Sequence, residues 1–420
     1  MRTGRSQLIR DLNRALVLDI VRERRAVSRA EIARISGLSP STVTTITASL
    51  VSDELLIEEP PAIDRHGVPA SVGRPGTLLR VDPGARHVIG VKLAPESLTA
   101  TVTDLDATPL AMITLPHAVH ARPQHIGDLF ETAVQQVLAD AQLADADPLG
   151  IGIGVPGSVD PQSGAVSRSP LPDWAESDLV DVVEERLGMP VLVDNDVNTL
   201  TVAEHLFGSG RGLAQLLVIS IGHGIGMGAV IDGSIVRGWR GAFGEIGHIE
   251  VEPEGEPCWC GRTGCLETVA SEPAIVRDVL AATGSLVDPQ DLPGLAMTDE
   301  RVNGVLVEAG RLVGRAVATA VILIDPQRVI VSGEGVRLGP AHRRGIRLGM
   351  NQGLGPSDQL DVVFEQWGDE AWARGAASLV LRELFHPAHL RAAGPSTEAR
   401  VTPRGDSQSR AAAVGQGGLR

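Results

Sequence analysis

The sequence predicts an α/β protein that carries a small helical module at its amino end. From about residue 86 onward, short apolar runs of the length of buried strands alternate with helical patterns. The first 80 residues instead show helical periodicity with capping signals, followed by two short strand patterns around a loop rich in Pro and Gly. A chain of 420 residues is long enough for two or three domains.

Charge is divided unevenly between the two parts of the chain. Residues 1–80 hold 12 Arg and 9 acidic residues, whereas the rest of the chain holds 43 acidic and 25 basic residues. An acidic surface repels nucleic acid, so we expect any nucleic-acid contact to lie in the front module. The sequence shows no apolar stretch long enough to span a membrane and no secretory pattern at its amino end, which predicts a cytoplasmic protein.

Two helices are predicted at the start of the front module. Apolar residues at helical spacing predict a first helix that ends near Arg25. Ser28 and Glu31 form a capping box that begins a short second helix, and Gly37 ends it. The side chains expected to face the core of the module are Leu8, Leu12, Leu16 and Ile20 in the first helix and Ile32, Ala33 and Ile35 in the second.

A third helix is predicted after a four-residue turn, which completes a helix-turn-helix pattern. Ser39 is suited to be its N-cap and Pro40 to be its first residue. Its opposite faces differ in chemistry: one carries hydroxyl side chains, which can approach phosphates and base edges in the major groove of DNA. The other face is apolar and consists of Val43, Ile46, Leu50 and Val51.

The strand patterns at 55–57 and 78–81 flank a loop that contains Arg74 between Gly73 and Pro75, and together they predict a wing. An arginine in such a loop suits a narrow minor groove. One winged helix-turn-helix reads one half-site, so we expect a dimer on a nearly palindromic DNA operator. A helical dimerisation module whose hydroxyl groups face solvent is the alternative. The predicted DNA-contacting residues are Arg29, Ser39, Ser41, Thr42, Thr44, Thr45 and Arg74.

All three cysteines of the chain fall within eight residues, and a histidine precedes them by ten positions. The four side chains fit a tetrahedral zinc site, with His248, Cys258, Cys260 and Cys265 as ligands. A disulfide explains the cluster less well because one thiol would be left over. Four protein ligands leave no open position for chemistry, so the zinc would be structural. Chance clustering of the cysteines is the alternative.

Five segments of the body resemble the ROK family, a group of bacterial repressors and sugar kinases, and the resemblance runs from about residue 86 to 385. The segments are Gly-Ile-Gly-Val-Pro-Gly at 152–157, Asp-Asn-Asp-Val-Asn at 194–198, Gly-His-Gly-Ile-Gly-Met-Gly at 222–228, Glu-Ile-Gly-His at 245–248 and Cys-Trp-Cys-Gly-Arg-Thr-Gly-Cys-Leu-Glu at 258–267. A winged helix in front of this body is typical of the repressor branch of the family, and its kinases lack one.

The resemblance implies a winged helix-turn-helix over residues 1–81 and a two-lobed body with the actin-like, ribonuclease-H-like fold. The first α/β lobe would cover 82–195 and the second 196–390, with the zinc loop in the second lobe and the C-terminal helix returning to the first. Residues 391–420 hold almost no large apolar side chain, which predicts a disordered tail. The strands expected in the body are 88–93, 98–105, 150–155, 191–194, 216–221 and 329–332.

The resemblance also implies a sugar site, in which Gly157 would line the cleft. The side chains that would hydrogen-bond the hydroxyl groups of a sugar are Asn195, Asp196, Glu245, His248 and Glu267. Carboxylates and amides suit hydroxyl groups, which both donate and accept hydrogen bonds. Two alternatives stay open: one residue of 194–196 could cap the following helix, and the glycines at 222–228 could shape a hairpin and hold no phosphate.

One part of the kinase machinery is missing from the sequence. The family's kinases carry Asp-x-Gly-Gly-Thr after the first strand, whereas this chain has Lys-Leu-Ala-Pro-Glu at 92–96. Lys92 cannot bind magnesium, Pro95 lacks a backbone donor and Glu96 repels phosphate. Asp196 would be the general base if the chain were a kinase.

The sequence therefore predicts a sugar-responsive transcriptional repressor that is not an enzyme. Its expected partners are operator DNA and a small sugar, its expected metal is structural zinc, and a homodimer or homotetramer is expected. Two alternatives stay open. One is an ATP-dependent hexose or amino-sugar kinase, and the other is a regulator controlled by another protein or by a phosphorylated sugar.

Overall fold

The computed structural model describes residues 2–60, 77–94, 96–117, 123–170, 179–354, 360–365 and 369–385, with no side-chain description at 2–8, 123–125 and 369–370. Arg74 of the predicted wing, Pro95 and the predicted tail at 391–420 lie outside the described residues. Among the described helices, none is both long enough and apolar enough to cross a membrane.

The front module is a helix-turn-helix followed by two strands. Its capping predictions are confirmed, because Ser28 Oγ accepts a hydrogen bond from Glu31 N at 3.3 Å and Ser39 Oγ accepts one from Thr42 N at 3.1 Å. Gly37 ends the second helix with a φ of 69°. The strands form an antiparallel sheet in the order β1-β3-β2, of which β1 is not predicted from the sequence. The elements are α1 (Arg2–Arg24), β1 (Val27–Ser28), α2 (Arg29–Ser36), α3 (Pro40–Ser52), β2 (Leu56–Glu59) and β3 (Leu78–Val81).

Two side chains predicted to face the core of the front module do not. Leu16 is 41% exposed and Ile35 is 36% exposed. Residues 17–22 are instead all buried, because α1 packs against the module on one side and against the body of the protein on the other. Helix α1 is therefore buried on more than one side, and not along the single apolar stripe that the sequence predicted.

The first sheet of the body has the strand order β10-β7-β4-β5-β6 within the described residues. Strands β10, β7 and β4 are parallel, whereas β4, β5 and β6 are antiparallel neighbours. Strand β6 is not predicted from the sequence, because proline at both of its ends argues against a strand. The structure tolerates both prolines because β6 lies at the edge of the sheet. The elements are β4 (Val88–Leu93), β5 (Ser97–Thr103), β6 (Pro109–Pro116), α4 (Pro123–Asp140), β7 (Ile151–Val155), β8 (Ser158–Val159), β9 (Val166–Arg168), α5 (Leu179–Leu187) and β10 (Val191–Asn195).

The second sheet of the body has the order β13-β12-β11-β14-β15 within the described residues. Helices α7 to α11 pack around it and share its largest apolar core. The elements are α6 (Asp196–Phe207), β11 (Leu216–Ile221), β12 (Ile225–Ile231), β13 (Ser234–Ile235), α7 (Leu266–Ala270), α8 (Glu272–Thr283), α9 (Leu292–Leu295), α10 (Glu300–Ile324), β14 (Arg328–Ser332), α11 (Gly339–Leu354) and β15 (Asp361–Phe364).

The last described helix, α12 (Asp369–Phe385), packs directly on the first sheet. Gly90 and Gly152 are neighbours on β4 and β7, and a Cβ on either would overlap a backbone carbonyl oxygen of α12. On its other side α12 crosses α6, where a Cβ on Gly375 would lie 3.0 Å from the backbone of Thr199. Glycine therefore allows sheet, α12 and α6 to approach more closely than side chains would permit.

A buried arginine joins the front module to the body. Arg22 of α1 pairs with Asp19 at 2.7 Å, and its Nη1 donates to the carbonyl oxygen of Leu206 at 2.7 Å. The guanidinium carbon also lies 5.9 Å from the ring centre of Phe207 and 5.2 Å from that of Phe385. The front module is thus held on the carboxyl ends of α6 and α12 by the guanidinium group of Arg22, whose three nitrogens all donate hydrogen bonds.

We expect Gly152→Ala to lower the stability of the protein by about 2 kcal/mol, because the added methyl group would overlap the Ala376 carbonyl oxygen and force α12 away from the sheet. Thermal unfolding measures the effect. The control is Gly304→Ala on α10, where nothing lies within 4 Å of the added Cβ and where alanine favours the helix. Equal melting temperatures for the two variants would contradict the packing described here.

Candidate functional site

The outward face of α3 is uncharged and carries hydroxyl groups. Ser41, Thr44 and Thr45 are exposed, and Thr42 is half-buried. Thr44 Oγ1 donates to the Pro40 carbonyl oxygen at 2.8 Å, and Thr45 Oγ1 donates to that of Ser41 at 3.0 Å. These hydroxyl groups are therefore held by their own helix, with lone pairs left for other donors. Ser39 is the N-cap of α3, so its hydroxyl group is already hydrogen-bonded to the backbone at the start of the helix.

The arginines of α2 differ in what they contact. Arg29 donates to Thr47 Oγ1 at 2.9 Å and pairs with Glu58 at 2.5 Å, so it links α2, α3 and β2 inside the module. Arg34 lies at the far end of the same helix with 72% of its side chain exposed, beside Glu31 at 3.7 Å. Arg34 is thus the cation of α2 that is open to a partner, and the sequence gives no reason to prefer it over Arg29.

The last two residues of β10, Asp194 and Asn195, have different roles. Asn195 caps α6, since its Oδ1 accepts from Val197 N at 2.9 Å and Asn198 N at 3.2 Å, and its Nδ2 donates to the Gly157 carbonyl oxygen at 2.9 Å. Asp194 is buried and pairs with Arg237 Nε at 2.6 Å. The capping alternative therefore applies to Asn195. Gly157 has a φ of 115°, and a Cβ there would overlap the carbonyl oxygen of Arg168.

Asp196 lies at the amino end of α6, beside the first sheet. Loss of solvent around it raises the pKa of its carboxyl group to about 6, although the positive charge of Lys92 acts in the opposite direction. The side chain itself keeps some solvent exposure. Lys92 Nζ donates to Glu334 Oε1 at 3.4 Å and lies 4.8 Å from the ring centre of Trp372. Asp196 thus lies in a strongly charged cleft.

Three further predicted residues lie between β13 and the first turn of α7, and one of them, Glu245, is close enough to Asp196 to help raise its pKa. Glu245 Oε1 accepts from Ser158 Oγ at 3.2 Å, and Glu245 Oε2 lies 3.7 Å from His248 Nε2. Glu267 Oε2 accepts from the backbone N–H of Ile225 at 3.1 Å. Its Oε1 accepts from Trp259 Nε1 at 2.7 Å. Ser158 and Trp259 have no predicted role, because the partners of their side chains become apparent only in the folded structure.

His248 and the three cysteines form a compact cluster that could hold a metal ion. One ligand atom from each residue lies within 4.8 Å of all the others. His248 Nδ1 is 3.5 Å from Cys258 Sγ, and Cys260 Sγ is 3.7 Å from Cys265 Sγ. Since His248 Nε2 points to Glu245, its two ring nitrogens face the cluster and the cleft. This geometry brings together both roles that the sequence assigned to His248.

The acid–base properties of the cluster fit a metal site. Burial lowers the pKa of His248, which keeps the imidazole in its neutral, metal-binding form. Burial raises the pKa of Cys258, and that of Cys265 to about 12. Against the effect of burial, hydrogen bonds with Arg262 lower the pKa of Cys260 to about 7. A metal ion that binds these thiols must displace their protons, so its affinity should rise with pH.

The glycine-rich segment at 222–228 forms a hairpin. Gly222 N donates to the Gly224 carbonyl oxygen at 2.9 Å, in the turn between β11 and β12. A Cβ on Gly228 would overlap Thr201 of α6, and one on Gly226 would lie 2.7 Å from Val197. A Cβ on Gly222 would overlap the carboxylate of Glu334. These glycines therefore permit close packing of α6 and Glu334 against the hairpin.

Comparison with known proteins gives matches over most of the chain. A family model described as the ROK family matches residues 88–383. The N-acetylglucosamine repressor of Escherichia coli O6:H1 is 32% identical over 343 residues, which cover 79% of this chain and 82% of that protein.

Two solved structures have the same fold over long stretches. One is a ROK family transcriptional regulator described as a homolog of the E. coli MLC protein, with a TM-score of 0.73, 26% identity and coverage of 90% of this chain and 97% of that chain. The other is a ROK family glucokinase from Streptomyces griseus in complex with glucose and AMPPNP. It has a TM-score of 0.62, 30% identity and coverage of 70% of this chain and 98% of that chain.

We expect Cys260→Ser to lose the metal of the cluster, because a neutral hydroxyl replaces the thiolate that forms most readily. Elemental analysis of the purified protein measures the metal and identifies it. Glu254→Gln, an exposed change on the same loop, is the control and should keep one ion per chain. A full complement of metal in Cys260→Ser would show that the cluster does not bind it.

Proposed function

Because this chain belongs to the ROK family, we propose that it is a sugar-responsive transcriptional regulator that binds DNA and acts as a repressor. The observation that carries the proposal is the joining of two sites in one packed structure. A helix-turn-helix is fixed to the carboxyl end of α6, and a cleft lined with carboxylates lies at its amino end. The relative named as a sugar repressor and the neighbour described as a transcriptional regulator support the same function.

The sugar would bind between Asp196 and the second sheet. Asp196, Glu245 and Glu267 offer acceptor oxygens, and His248 Nε2 offers a nitrogen that faces the cleft. Asn195 and Gly157 would act indirectly, because their described hydrogen bonds hold the cap of α6 against the segment between β7 and β8. Hydroxyl groups suit such a set of acceptors, whereas an analogue without them would leave half-buried carboxylates without these partners.

Zinc would hold the loop that carries the sugar ligands. Three thiolates and one imidazole are its preferred ligands, and four of them leave no open position. The metal would fix the imidazole through Nδ1, so that Nε2 keeps a proton to donate toward Glu245 or a sugar oxygen. Its role here is to orient side chains.

DNA would contact the front module through α3 and the exposed end of α2. The hydroxyl face of Ser41, Thr44 and Thr45 would enter the major groove, and no acidic residue lies within Pro40–Ser52 to repel phosphate. Arg34 would pair with a phosphate, whereas Arg29 would hold the module together. A dimer on a nearly palindromic operator follows from the small size of one reading helix.

Sugar binding would reach DNA through α6. The helix has 12 residues and is about 18 Å long. Its amino end carries Asp196, and its carboxyl end contacts Arg22 through Leu206 and Phe207. A ligand that draws the two sheets together moves α6, and α6 moves the front module. The two modules of a dimer would then no longer match the spacing of the half-sites.

The charges of the cleft also support a regulator without kinase activity. Lys92 occupies the position of the magnesium-binding Asp of the kinases, and it is paired with Glu334. The carboxylate of Glu334 lies against Gly222, within the second glycine turn. Phosphoryl transfer depends on positioning ATP and neutralising its charge, and a lysine paired with a glutamate at this point supports neither.

Selection from random-sequence duplexes tests the function directly. The full-length protein should enrich one nearly palindromic sequence, and a free sugar should change its affinity for that duplex. Arg34→Ala should weaken binding at fixed salt, while the matched Arg301→Ala on the body should not. Sugar-dependent ATP turnover that Asp196→Asn abolishes would establish the kinase alternative instead.

Asp196→Asn should weaken sugar binding at pH 7.5 by roughly tenfold or more, because an amide replaces the charged acceptor. The unaltered protein should lose affinity as the pH falls through about 6, where Asp196 becomes protonated. The variant should show no such dependence between pH 7.5 and 5.5. Calorimetry at several pH values measures both, and parallel pH profiles for the two proteins would remove Asp196 from the site.

Arg22→Met should leave sugar affinity unchanged and reduce the effect of sugar on DNA affinity by about fivefold or more, because it removes the contact with Leu206. Phe207→Leu, which keeps the ion pair, should act in the same direction. Arg24→Met, on the exposed end of α1, is the control. DNA titrations with and without sugar measure the coupling, and normal coupling in both variants would exclude this route.

A further inference from the structure

We infer that Glu334 makes the cleft selective for an unphosphorylated sugar, because its carboxylate occupies the position that a phosphate group would need. The inference rests on the proposed sugar-binding function. It concerns the chemical class of the ligand, and it gives a role to Glu334, which is not among the predicted site residues.

The first observation is that Lys92 and Asp196 lie on the same face of the first sheet. Lys92 of β4 is directly opposite Gly154 of β7. A Cβ on Gly154 would lie 3.6 Å from the Cα atom of Asp196, so α6 begins above this position. Since paired residues on neighbouring strands face the same side, the side chain of Lys92 extends toward the amino end of α6.

The second observation is that Glu334 reaches this point from the other sheet. It follows β14 after Gly333, which has a φ of 88°. Its Oε1 accepts from Lys92 Nζ at 3.4 Å, and its Oε2 lies against Gly222 at the turn of the β11–β12 hairpin. The carboxylate therefore fills the space between the cation of one sheet and the glycine turn of the other.

The third observation is the charge of the surroundings. The carboxylates of Glu334 and Glu245 both lie close enough to Asp196 to repel a negative charge there. Lys92 is already paired, and Arg237, a second cation near the end of β10, is held by Asp194 at 2.6 Å. A phosphate dianion would meet several carboxylates here, and the two cations just named already have carboxylate partners, whereas neutral hydroxyl groups can donate to the same oxygens.

The partial burial of the ion pair makes this selectivity effective. The side chains of Lys92 and Glu334 are 18% and 25% exposed, so solvent screens their charges only in part. Trp372 lies below the ammonium group and limits where Lys92 can move. A phosphorylated sugar would have to displace Glu334 before its phosphate could reach Lys92.

Glu334→Gln tests the inference, because the amide keeps the shape of the side chain and frees the charge of Lys92. Calorimetry compares glucose with glucose 6-phosphate, and N-acetylglucosamine with its 6-phosphate, on the full-length protein. The unaltered protein should bind a free sugar at least tenfold more tightly than its 6-phosphate. The variant should reduce that ratio at least tenfold. Glu308→Gln, which breaks a surface pair with Arg311, should leave the ratio unchanged.

A second measurement separates this inference from the proposed function. Inorganic phosphate should raise the melting temperature of Glu334→Gln and leave that of the unaltered protein unchanged. Lys92→Met combined with Glu334→Gln should lose the phosphate effect. If phosphate stabilises Glu334→Gln while no sugar binds the unaltered protein, the result supports the role of Glu334 at the anion position and contradicts the proposed sugar function. Two results would overturn the inference. One is tighter binding of a 6-phosphate than of its free sugar by the unaltered protein, and the other is a folded Glu334→Gln variant that binds neither phosphate nor the 6-phosphates.

Discussion

The close approach of α12 and α6 to the first sheet is the constraint on which the other features of the structure depend. Gly90 and Gly152 leave no side chain between the sheet and α12, and Gly375 lets α12 cross α6 near Thr199. Interiors packed to this density transmit displacements, because a helix without free space moves as a unit. The amino end of α6 lies in the cleft and its carboxyl end touches Arg22. The packing therefore ties the geometry of the cleft to the position of the front module.

Two cations, one buried and one half-buried, lie where separate parts of the chain meet. Arg22 joins the front module to the body, and Lys92 joins the first sheet to the second. Each has a carboxylate partner and an aromatic neighbour, Asp19 with Phe385 and Glu334 with Trp372. Replacing one member of such a pair leaves the other charge buried and unpaired, which costs more than the pair contributes. These contacts thus favour one arrangement of the parts over alternatives.

Much of the fold could be predicted from the sequence, because its signals are local. The caps at Ser28 and Ser39 and the strand at 216–221 follow from neighbouring residues, and the resemblance to the ROK family is confirmed by the comparisons. The exposure of Leu16 could not be predicted, because the face of α1 that is buried is chosen by the body of the protein. That body contacts α1 only in the folded chain. The roles of Ser158 and Trp259 were missed because the folded chain selects their partners: Ser158 donates to Glu245, 87 residues away, and Trp259 donates to Glu267 within the cysteine-rich segment.

The missing phosphate loop shows how a local change requires a distant one. A lysine at position 92 removes a magnesium ligand, and this consequence can be read from the sequence. A lysine with 18% exposure also needs a partner, and the structure provides Glu334, 242 residues later in the chain. That partner places a carboxylate against Gly222, where we infer that it excludes a phosphate group. The same ion pair therefore accounts both for the proposed absence of kinase activity and for the selectivity inferred toward neutral ligands.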